Sequence, residues 1–206
     1  MKILFIGDSI TDCVRQRDNP SSLGQGYALM AAGELAYKYP NKNLEFVNKG
    51  ISGNKVTDLL ARWRRDCINI EPDVISIMVG INDLWHEFKR QEGLDIGMYR
   101  QVFDILLTET KRRLPHTKVI LIEPFVLNVE GEIMEIANRF EPYRQAVKNL
   151  ATDHNHTHMP LQEIFNEACK TTTATYWAHD GVHPTPAGHM LIAKEWVKVA
   201  ESIIYK

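Results

Sequence analysis

The stretch Ile3-Leu4-Phe5-Ile6-Gly7-Asp8-Ser9-Ile10-Thr11-Asp12 carries the main indication of how this chain folds. Its four consecutive apolar residues are typical of a short strand that is buried on both faces, as in a parallel sheet. Gly7 ends that strand, and the polar residues after it predict a turn into a helix with Ser9 near its start. A strand that leads directly into a helix is the repeating unit of α/β proteins.

Further short apolar runs, bounded by Gly, Asn or Pro, repeat this pattern along the chain. The predicted strands are Ile3–Ile6, Glu45–Val47, Val74–Val79 and Val119–Ile122, with a weaker fifth strand near Thr157–Pro160. Apolar residues at helical spacing fill the intervals between them. No linker, repeat or shift in composition interrupts the alternation, so we expect one α/β domain over residues 1–206.

The segment from Ile133 to Leu150 also shows helical spacing, but Pro142 interrupts it. Proline inside a helix removes a backbone hydrogen bond and clashes with the preceding turn. The sequence therefore leaves two alternatives open. Either one helix is kinked at Pro142, or a second helix begins near Glu141.

Charge and composition exclude several classes of function. The 206 residues carry 24 Lys and Arg against 26 Asp and Glu, a formal net charge of −2, which does not favour binding of nucleic acid or of an anionic membrane. The short basic run Arg62, Arg64 and Arg65 is typical of a solvated helix face. No apolar stretch approaches the roughly 20 residues that a membrane span needs.

The cysteines and the first residues indicate a cellular compartment. Three widely spaced cysteines, Cys13, Cys67 and Cys169, do not form a disulfide framework. The first residues turn polar too soon for a secretory signal. We therefore expect a cytoplasmic location.

Two segments carry groups that could perform acyl transfer. Ser9, on a strand-to-helix turn, would expose its hydroxyl beside free backbone N–H groups, although such a serine also commonly caps a helix. The second segment is Asp180-Gly-Val-His183-Pro184. Its spacing lets the carboxylate reach Nδ1 of its own histidine, which leaves Nε2 free to take a proton from a serine. Thr185 and Pro186 predict that the last helix begins just after this pair.

The segments after the second and third strands could supply donors to an oxyanion. Asn48–Asn54 contains glycines that let backbone N–H groups approach a ligand, and Asn82 in Gly80-Ile-Asn-Asp could present its side-chain NH₂. Each segment alone is also a plausible turn. Parallel sheets bind ligands at the carboxyl ends of their strands, which is where all of these segments lie.

Four blocks in this order resemble the SGNH hydrolases, also called the GDSL-type lipases and acylhydrolases. They are GDSI at Gly7–Ile10, GISGN at Gly50–Asn54, GIND at Gly80–Asp83 and DGVHPT at Asp180–Thr185. The resemblance covers nearly the whole chain. Ile10 replaces the leucine of the family's name, which is a conservative change. The α/β-hydrolase alternative fits less well, because its Gly-x-Ser-x-Gly motif would need a glycine where Asn54 stands.

The resemblance implies roles for five residues and a fold. Ser9 would be the nucleophile, Asp180 and His183 would complete a catalytic triad, and the N–H groups of Ser9 and Gly53 with Asn82 would form the oxyanion hole. The implied fold is a flavodoxin-like, three-layer α/β/α sandwich around a five-stranded parallel sheet. The implied chemistry needs neither a metal nor an organic cofactor.

Within that family the chain looks most like the small bacterial carbohydrate esterases that include acetylxylan esterases. The implied substrate is a small acylated molecule, such as an acetylated sugar. Trp85 and Trp177 flank two of the motif blocks and are expected to wall an acyl pocket or stack on a sugar ring, unless they belong to the core. Broad short-chain carboxylesterase, thioesterase and lysophospholipase activities remain alternatives, and a homo-oligomer is left open.

Two readings without serine chemistry also remain open. His154, His156 and His158 alternate and could share one face of an extended segment as metal ligands. A non-catalytic, flavodoxin-like binding module could use the same end of the sheet, with Asp8 placed as in a receiver domain.

Overall fold

The computed structural model describes residues 1–204 and contains one five-stranded parallel sheet. Its strands, each close to the predicted limits, are β1 (Lys2–Gly7), β2 (Glu45–Asn48), β3 (Val74–Met78), β4 (Lys118–Ile122) and β5 (Thr157–Met159). Their order across the sheet is β2-β1-β3-β4-β5. The predicted α/β class, parallel sheet and flavodoxin-like strand order are therefore confirmed.

Helices connect the strands and follow the last one. They are α1 (Ser9–Asp12), α2 (Tyr27–Lys38), α3 (Val56–Asp66), α4 (Ile81–Arg90), α5 (Ile96–Arg113), α6 (Ile133–Arg139), α7 (Glu141–Asp153), α8 (Leu161–Ala168), α9 (Ala174–Trp177) and α10 (Pro186–Ile204). A 3₁₀ turn spans Ile68–Ile70. Of the two alternatives at Pro142, the second is right, because α6 ends at Arg139 and α7 begins at Glu141 with the proline in its first turn.

The sheet separates two hydrophobic cores. On one face, apolar side chains of β1, β3 and β4 pack against α3, α5 and α7, with Trp63, Phe103 and Val147 buried there. On the other face, the alternate residues of the same strands pack against α2, α8 and α10, with Phe5 and Trp196 in contact at 4.9 Å between ring centroids. Both faces of the central strands β1, β3 and β4 are covered, which explains why these strands are almost entirely apolar, as their sequence predicted.

The carboxyl ends of β1, β2 and β3 meet at one edge of the sheet. β1 lies between the other two strands. The chain passes from β1 to β2 on one side and then crosses over to β3 on the other side of β1. Such a reversal of strand order opens a crevice outside the strand ends, where ligands bind in this class of sheet. The four segments that the sequence predicted for acyl transfer follow β1, β2 or β3 or directly precede α10.

The helices within residues 1–204 do not meet the requirements of a membrane span. None of them combines the necessary length with the necessary apolar character.

Candidate active site

Ser9, His183 and Asp180 form a continuous hydrogen-bonded chain at this edge of the sheet. The hydroxyl Oγ of Ser9 lies 3.0 Å from Nε2 of His183. Nδ1 of the same ring lies 2.6 Å from Oδ2 of Asp180. A carboxylate at Nδ1 fixes the tautomer that carries its proton there and leaves Nε2 as an acceptor for the serine hydroxyl.

The Asp180–His183 turn supplies its own hydrogen bonds. The second oxygen of Asp180, Oδ1, accepts the backbone N–H groups of Val182 at 3.0 Å and of His183 at 2.7 Å. Partial burial raises the pKa of Asp180, but these N–H groups and the His183 ring together bring that pKa below its usual value. The carboxyl group is therefore ionised at neutral pH and holds the imidazole in one orientation.

The turn that carries Ser9 is built around a buried carboxyl group. Asp8 caps α1 by accepting the N–H of Ile10 at 3.0 Å on Oδ1, whereas its Oδ2 is buried without a partner within residues 1–204. Burial raises the pKa of Asp8 to about 7, against the lowering effect of the Ile10 N–H. Ser9 is the first residue of α1, so its N–H has no acceptor within the helix and is available to a ligand.

Gly53 and Asn82 bring two further donors to the same place. Gly53 has φ +81°, a left-handed conformation that favours glycine, and its N–H has no acceptor within residues 1–204. Asn82 lies at the start of α4, where its Nδ2 donates one hydrogen to the carbonyl of Asn54 at 3.1 Å. The second hydrogen of that amide remains free. Gly53, Asn82, Ser9 and His183 line one cavity of about 280 Å³, which we call the Asn82 cavity.

Arg62 braces the loops that carry these donors. Its guanidinium donates to Asn54 Oδ1 at 2.9 Å, to the Lys49 carbonyl at 2.7 Å and to the Gly7 carbonyl at 3.2 Å. Its charge pairs with Asp66 at 3.1 Å. The expectation of a solvated helix face is therefore wrong for Arg62, which is buried. A basic run alone gave no signal for this role.

Two more cavities adjoin the Asn82 cavity. One of about 470 Å³, the Arg15 cavity, shares Ser9, Ser52 and His183 with it. Another of about 650 Å³, the Glu130 cavity, shares Trp85 and Lys89 with it and also borders Asp180. Shared lining residues join the three cavities into one groove, and Ser9 lies at the boundary between the Arg15 cavity and the Asn82 cavity. A groove of this kind suits an elongated ligand better than a compact one.

The two tryptophans singled out in the sequence lie in different surroundings. Trp85, on α4, lines both the Asn82 cavity and the Glu130 cavity, and Lys89 Nζ lies 5.1 Å from its ring centroid. Trp177 instead packs against the core on the α10 side of the sheet and borders none of the three cavities. The structure therefore brings Trp85 to the site and leaves Trp177 with the core.

The three alternating histidines do not share one set of partners, although the rings of His154 and His156 stack with 5.9 Å between their centroids. His154 Nε2 lies 2.7 Å from Asp104, and His158 Nε2 lies 3.1 Å from Glu123. Burial lowers the pKa of His156 to about 4. Within residues 1–204, no group of three or more His, Cys, Asp and Glu side chains is arranged to hold a metal ion.

Comparison with known proteins shows the family to which the chain belongs. Residues 5–191 match the GDSL-like lipase/acylhydrolase family. An acetylxylan esterase of Geobacillus stearothermophilus is 40% identical over 207 residues, covering 96% of this chain and 92% of the relative.

Solved structures agree with the sequence matches. A protein described as a GDSL-like lipase from Parabacteroides merdae superposes with a TM-score of 0.91 at 37% identity, covering 96% of this chain and 94% of the other. A variant of Axe2, an acetyl-xylooligosaccharide esterase of Geobacillus stearothermophilus, superposes with a TM-score of 0.88 at 38% identity, covering 96% and 93%. Catalytic mutants of Axe2 replace a serine, an aspartate and a histidine by alanine.

Proposed function

This chain belongs to the GDSL-like lipase/acylhydrolase family and is a carboxylic ester hydrolase, and from that premise we propose that it removes acetyl groups from the hydroxyls of xylo-oligosaccharides. The observation that carries the proposal is the Ser9-His183-Asp180 chain, with contacts of 3.0 Å and 2.6 Å, where the Arg15 cavity and the Asn82 cavity meet. The likeness to acetylxylan esterases supports the acetylated sugar as substrate.

In the first step, Ser9 Oγ attacks the ester carbonyl while His183 Nε2 accepts the hydroxyl proton. The carbonyl π electrons move onto oxygen, and the resulting oxyanion accepts hydrogen bonds from the N–H groups of Ser9 and Gly53 and from Asn82 Nδ2. His183 then donates its proton to the sugar oxygen as the C–O bond breaks. The sugar leaves as an alcohol, and an acetyl-serine remains.

In the second step, water attacks the acetyl-serine carbonyl while the same imidazole accepts a proton from it. The tetrahedral intermediate again rests on the same three donors. Its collapse returns the proton from His183 to Ser9 Oγ and releases acetic acid, which ionises to acetate in solution. Asp180 keeps its negative charge throughout, because its low pKa lets it stabilise the imidazolium without becoming protonated.

The groove supports an oligosaccharide as the leaving group. Trp85 presents a half-buried aromatic ring beside Ser9 and Asn82, a surface on which a sugar ring can stack. The Glu130 cavity continues from that ring and offers room for further sugar units. The acetyl group, by contrast, needs only the small space between Ser9 and the three donors.

The test measures kcat/KM on p-nitrophenyl esters from C2 to C12 and on acetylated xylo-oligosaccharides. We expect a maximum at C2 and release of acetate from the oligosaccharides. Ser9→Ala removes the attacking oxygen, so that variant should lose both activities while its circular dichroism spectrum stays unchanged.

Each of three results would contradict one part of the proposed function. A preference for C8 or longer esters contradicts acetyl specificity and favours lipase or lysophospholipase action. Hydrolysis of an acyl thioester above the rate on any oxygen ester favours a thioesterase. Full activity of Ser9→Ala contradicts the proposed nucleophile. Ser52→Ala is the matched control, because Ser52 also borders Ser9 but takes no part in the proposed chemistry.

A further inference from the structure

The Arg15 cavity is positively charged beside Ser9, although the whole chain has a formal net charge of −2. The Arg, Lys, Asp and Glu side chains that line it are Arg15, Arg17 and Asp12. Arg17 pairs with Asp12 at 3.0 Å, so these two charges offset each other. His189 adds no charge at neutral pH, because burial lowers its pKa to about 4. Arg15 is left as the uncompensated charge.

Arg15 is held in place but not neutralised. Its Nε donates to the Gly50 carbonyl at 2.8 Å, and the side chain is half-buried. Within residues 1–204 no carboxylate oxygen lies within 4.0 Å of its guanidinium. The negative charges of Asp12 and, more weakly, of Asp66 attract Arg15 without an ion-pair contact. Asp12 is already paired with Arg17, and the oxygens of Asp66 are bound by Arg62 and Arg65. Two guanidinium nitrogens of Arg15 therefore remain available to a ligand.

The backbone of the turn before Arg15 is strained, and hydrogen bonds to Asp12 hold the Arg15 backbone in position. Cys13 and Val14 have φ values of 36° and 60°, and a β-branched residue rarely adopts such a conformation. Val14 is 75% exposed, so burial of its side chain does not compensate for the strain. Asp12 holds the turn, since the Arg15 N–H lies 3.0 Å from its carbonyl and 3.2 Å from its Oδ1. Strain of this kind persists at ligand clamps.

We propose that Arg15 binds a carboxylate of the carbohydrate, so that the preferred substrate is an acetylated oligosaccharide carrying a uronic acid next to the acetylated sugar. The inference rests on the proposed function and names a substrate class for the same site. A guanidinium with two free nitrogens matches a carboxylate in a planar, two-bond geometry. The cavity volume of about 470 Å³ falls in the range of small-ligand sites, which leaves room for a sugar acid.

The opposite side of Ser9 is less suited to the carboxylate. In the Asn82 cavity, Lys89 already pairs with Glu132 at 3.2 Å and lies over the Trp85 ring. Arg90 is exposed at the rim, where solvent and salt weaken its interactions. Neutral sugar units therefore extend towards Trp85, and the acidic unit lies at Arg15.

The test uses two acetylated xylo-oligosaccharides that differ in one group. One carries a uronic acid beside the acetylated sugar, and in the other that carboxyl group is reduced to an alcohol. We expect kcat/KM to be about tenfold higher on the acid, mainly through a lower KM, as a charge-assisted hydrogen-bond pair provides. Raising NaCl from 0.05 to 0.5 M should narrow the difference, because the cavity is open to solvent.

Two arginine variants locate the effect. Arg15→Gln removes the charge and should bring the ratio of the two kcat/KM values close to one. Arg15→Lys keeps the charge without the two-bond geometry and should retain part of the preference. Arg90→Gln is the matched control on the other side of Ser9 and should leave the ratio unchanged. A purely structural role of Arg15 at Gly50 would lower both kcat/KM values equally and leave their ratio intact, which would overturn the inference.

The remaining outcomes separate this inference from the proposed function. Equal kcat/KM values of the unmodified enzyme on the two oligosaccharides would overturn the inference alone, as would loss of the preference in Arg90→Gln but not in Arg15→Gln. Hydrolysis of p-nitrophenyl acetate without hydrolysis of either oligosaccharide would contradict the proposed substrate class, and the inference would fall with it.

Discussion

Asp180 and Asp8 both interact electrostatically with His183, but one is half exposed and the other is buried. Asp180 is half exposed, its two oxygens accept three hydrogen bonds, and its pKa lies below the usual value. Asp8 is 1% exposed, one of its oxygens has no partner within residues 1–204, and burial raises its pKa to about 7. Chemically identical side chains thus differ in protonation because of burial and hydrogen bonding alone.

The difference in pKa between the two aspartates matches their different roles in the site. Asp180 belongs to a turn that satisfies its own polar groups, so it stays ionised and orients His183. Asp8 belongs to a turn held by distant residues, and its role is to cap α1 and place Ser9. A neutral or partly neutral Asp8 also avoids a second full negative charge beside the imidazole. The following experiments test these roles, beginning with the largest expected effect.

Replacing Asp180 should have the largest effect on activity. Asp180→Asn removes the charge and presents the wrong partner to Nδ1, so kcat should fall on the order of 10³–10⁴-fold with little change in thermal stability. Asp104→Asn is the matched control, because it alters a His–Asp contact of 2.7 Å at His154, outside the groove. A kcat loss in Asp180→Asn no greater than in that control would contradict the role given to Asp180.

Removing the side-chain donor at Asn82 should be the next largest change. Asn82→Ala leaves the oxyanion with two backbone donors, so kcat should fall on the order of 10²–10³-fold. KM should change little, because the missing hydrogen bond strengthens only as the oxyanion forms. Steady-state kinetics on p-nitrophenyl acetate measure both quantities. A rise in KM at constant kcat would show that Asn82 binds the ground state instead.

Replacing Arg62 tests whether its hydrogen bonds hold in place the loops that carry Ser9 and the oxyanion donors. Arg62→Lys keeps a charge for Asp66 but cannot reach Asn54, Lys49 and Gly7 together, so a smaller loss of kcat, about tenfold, should accompany a lower Tm. Arg64→Lys, on the exposed face of the same helix, is the control. Thermal melts and kinetics on the same preparations give both values. Unchanged Tm and kcat would contradict the bracing role.

Asp8 should have the smallest effect on catalysis and a distinct effect on stability. A folded-state pKa raised from 3.8 to about 7 means that the favourable contribution of Asp8 is complete below pH 3.8 and is lost as the pH rises to 7. Asp8→Asn keeps the cap and has no charge to bury. The stability gained by Asp8→Asn should therefore be greater at pH 8 than at pH 4, on the order of 2–4 kcal/mol.

Chemical denaturation at the two pH values measures that difference. Asp83, whose pKa is raised to about 8 by burial and by the charge of Asp8, contributes a pH dependence of the same sign. Asp8→Asn removes that charge and lowers the pKa of Asp83, which adds to the expected trend. Asp18→Asn, at an exposed position, should show no such trend. An Asp8→Asn variant that loses stability from pH 4 to pH 8 relative to the parent would reverse the assignment.

Local sequence was sufficient for the strands, for the helical segments that became α5, α6, α7 and α10, and for the Asp180–His183 contact. Uninterrupted apolar runs predict strands buried on both faces, and such runs need the parallel α/β architecture to cover them. The contact between Asp180 and His183 spans three residues of one turn, so chain geometry nearly imposes it. Pro142 left a choice between a kink and a break, because both relieve the same clash.

Tertiary structure decided the properties that depend on residues distant in sequence. Spacing could not show that Arg62 is buried, because its partners at Gly7, Lys49 and Asn54 come from other loops. Spacing also could not separate Trp85 in the groove from Trp177 against the core, nor reveal Arg15 as an unpaired charge in a near-neutral chain. The sequence determined which groups are present and their local geometry. Burial, protonation and local net charge arise only when folding removes water and brings distant groups together.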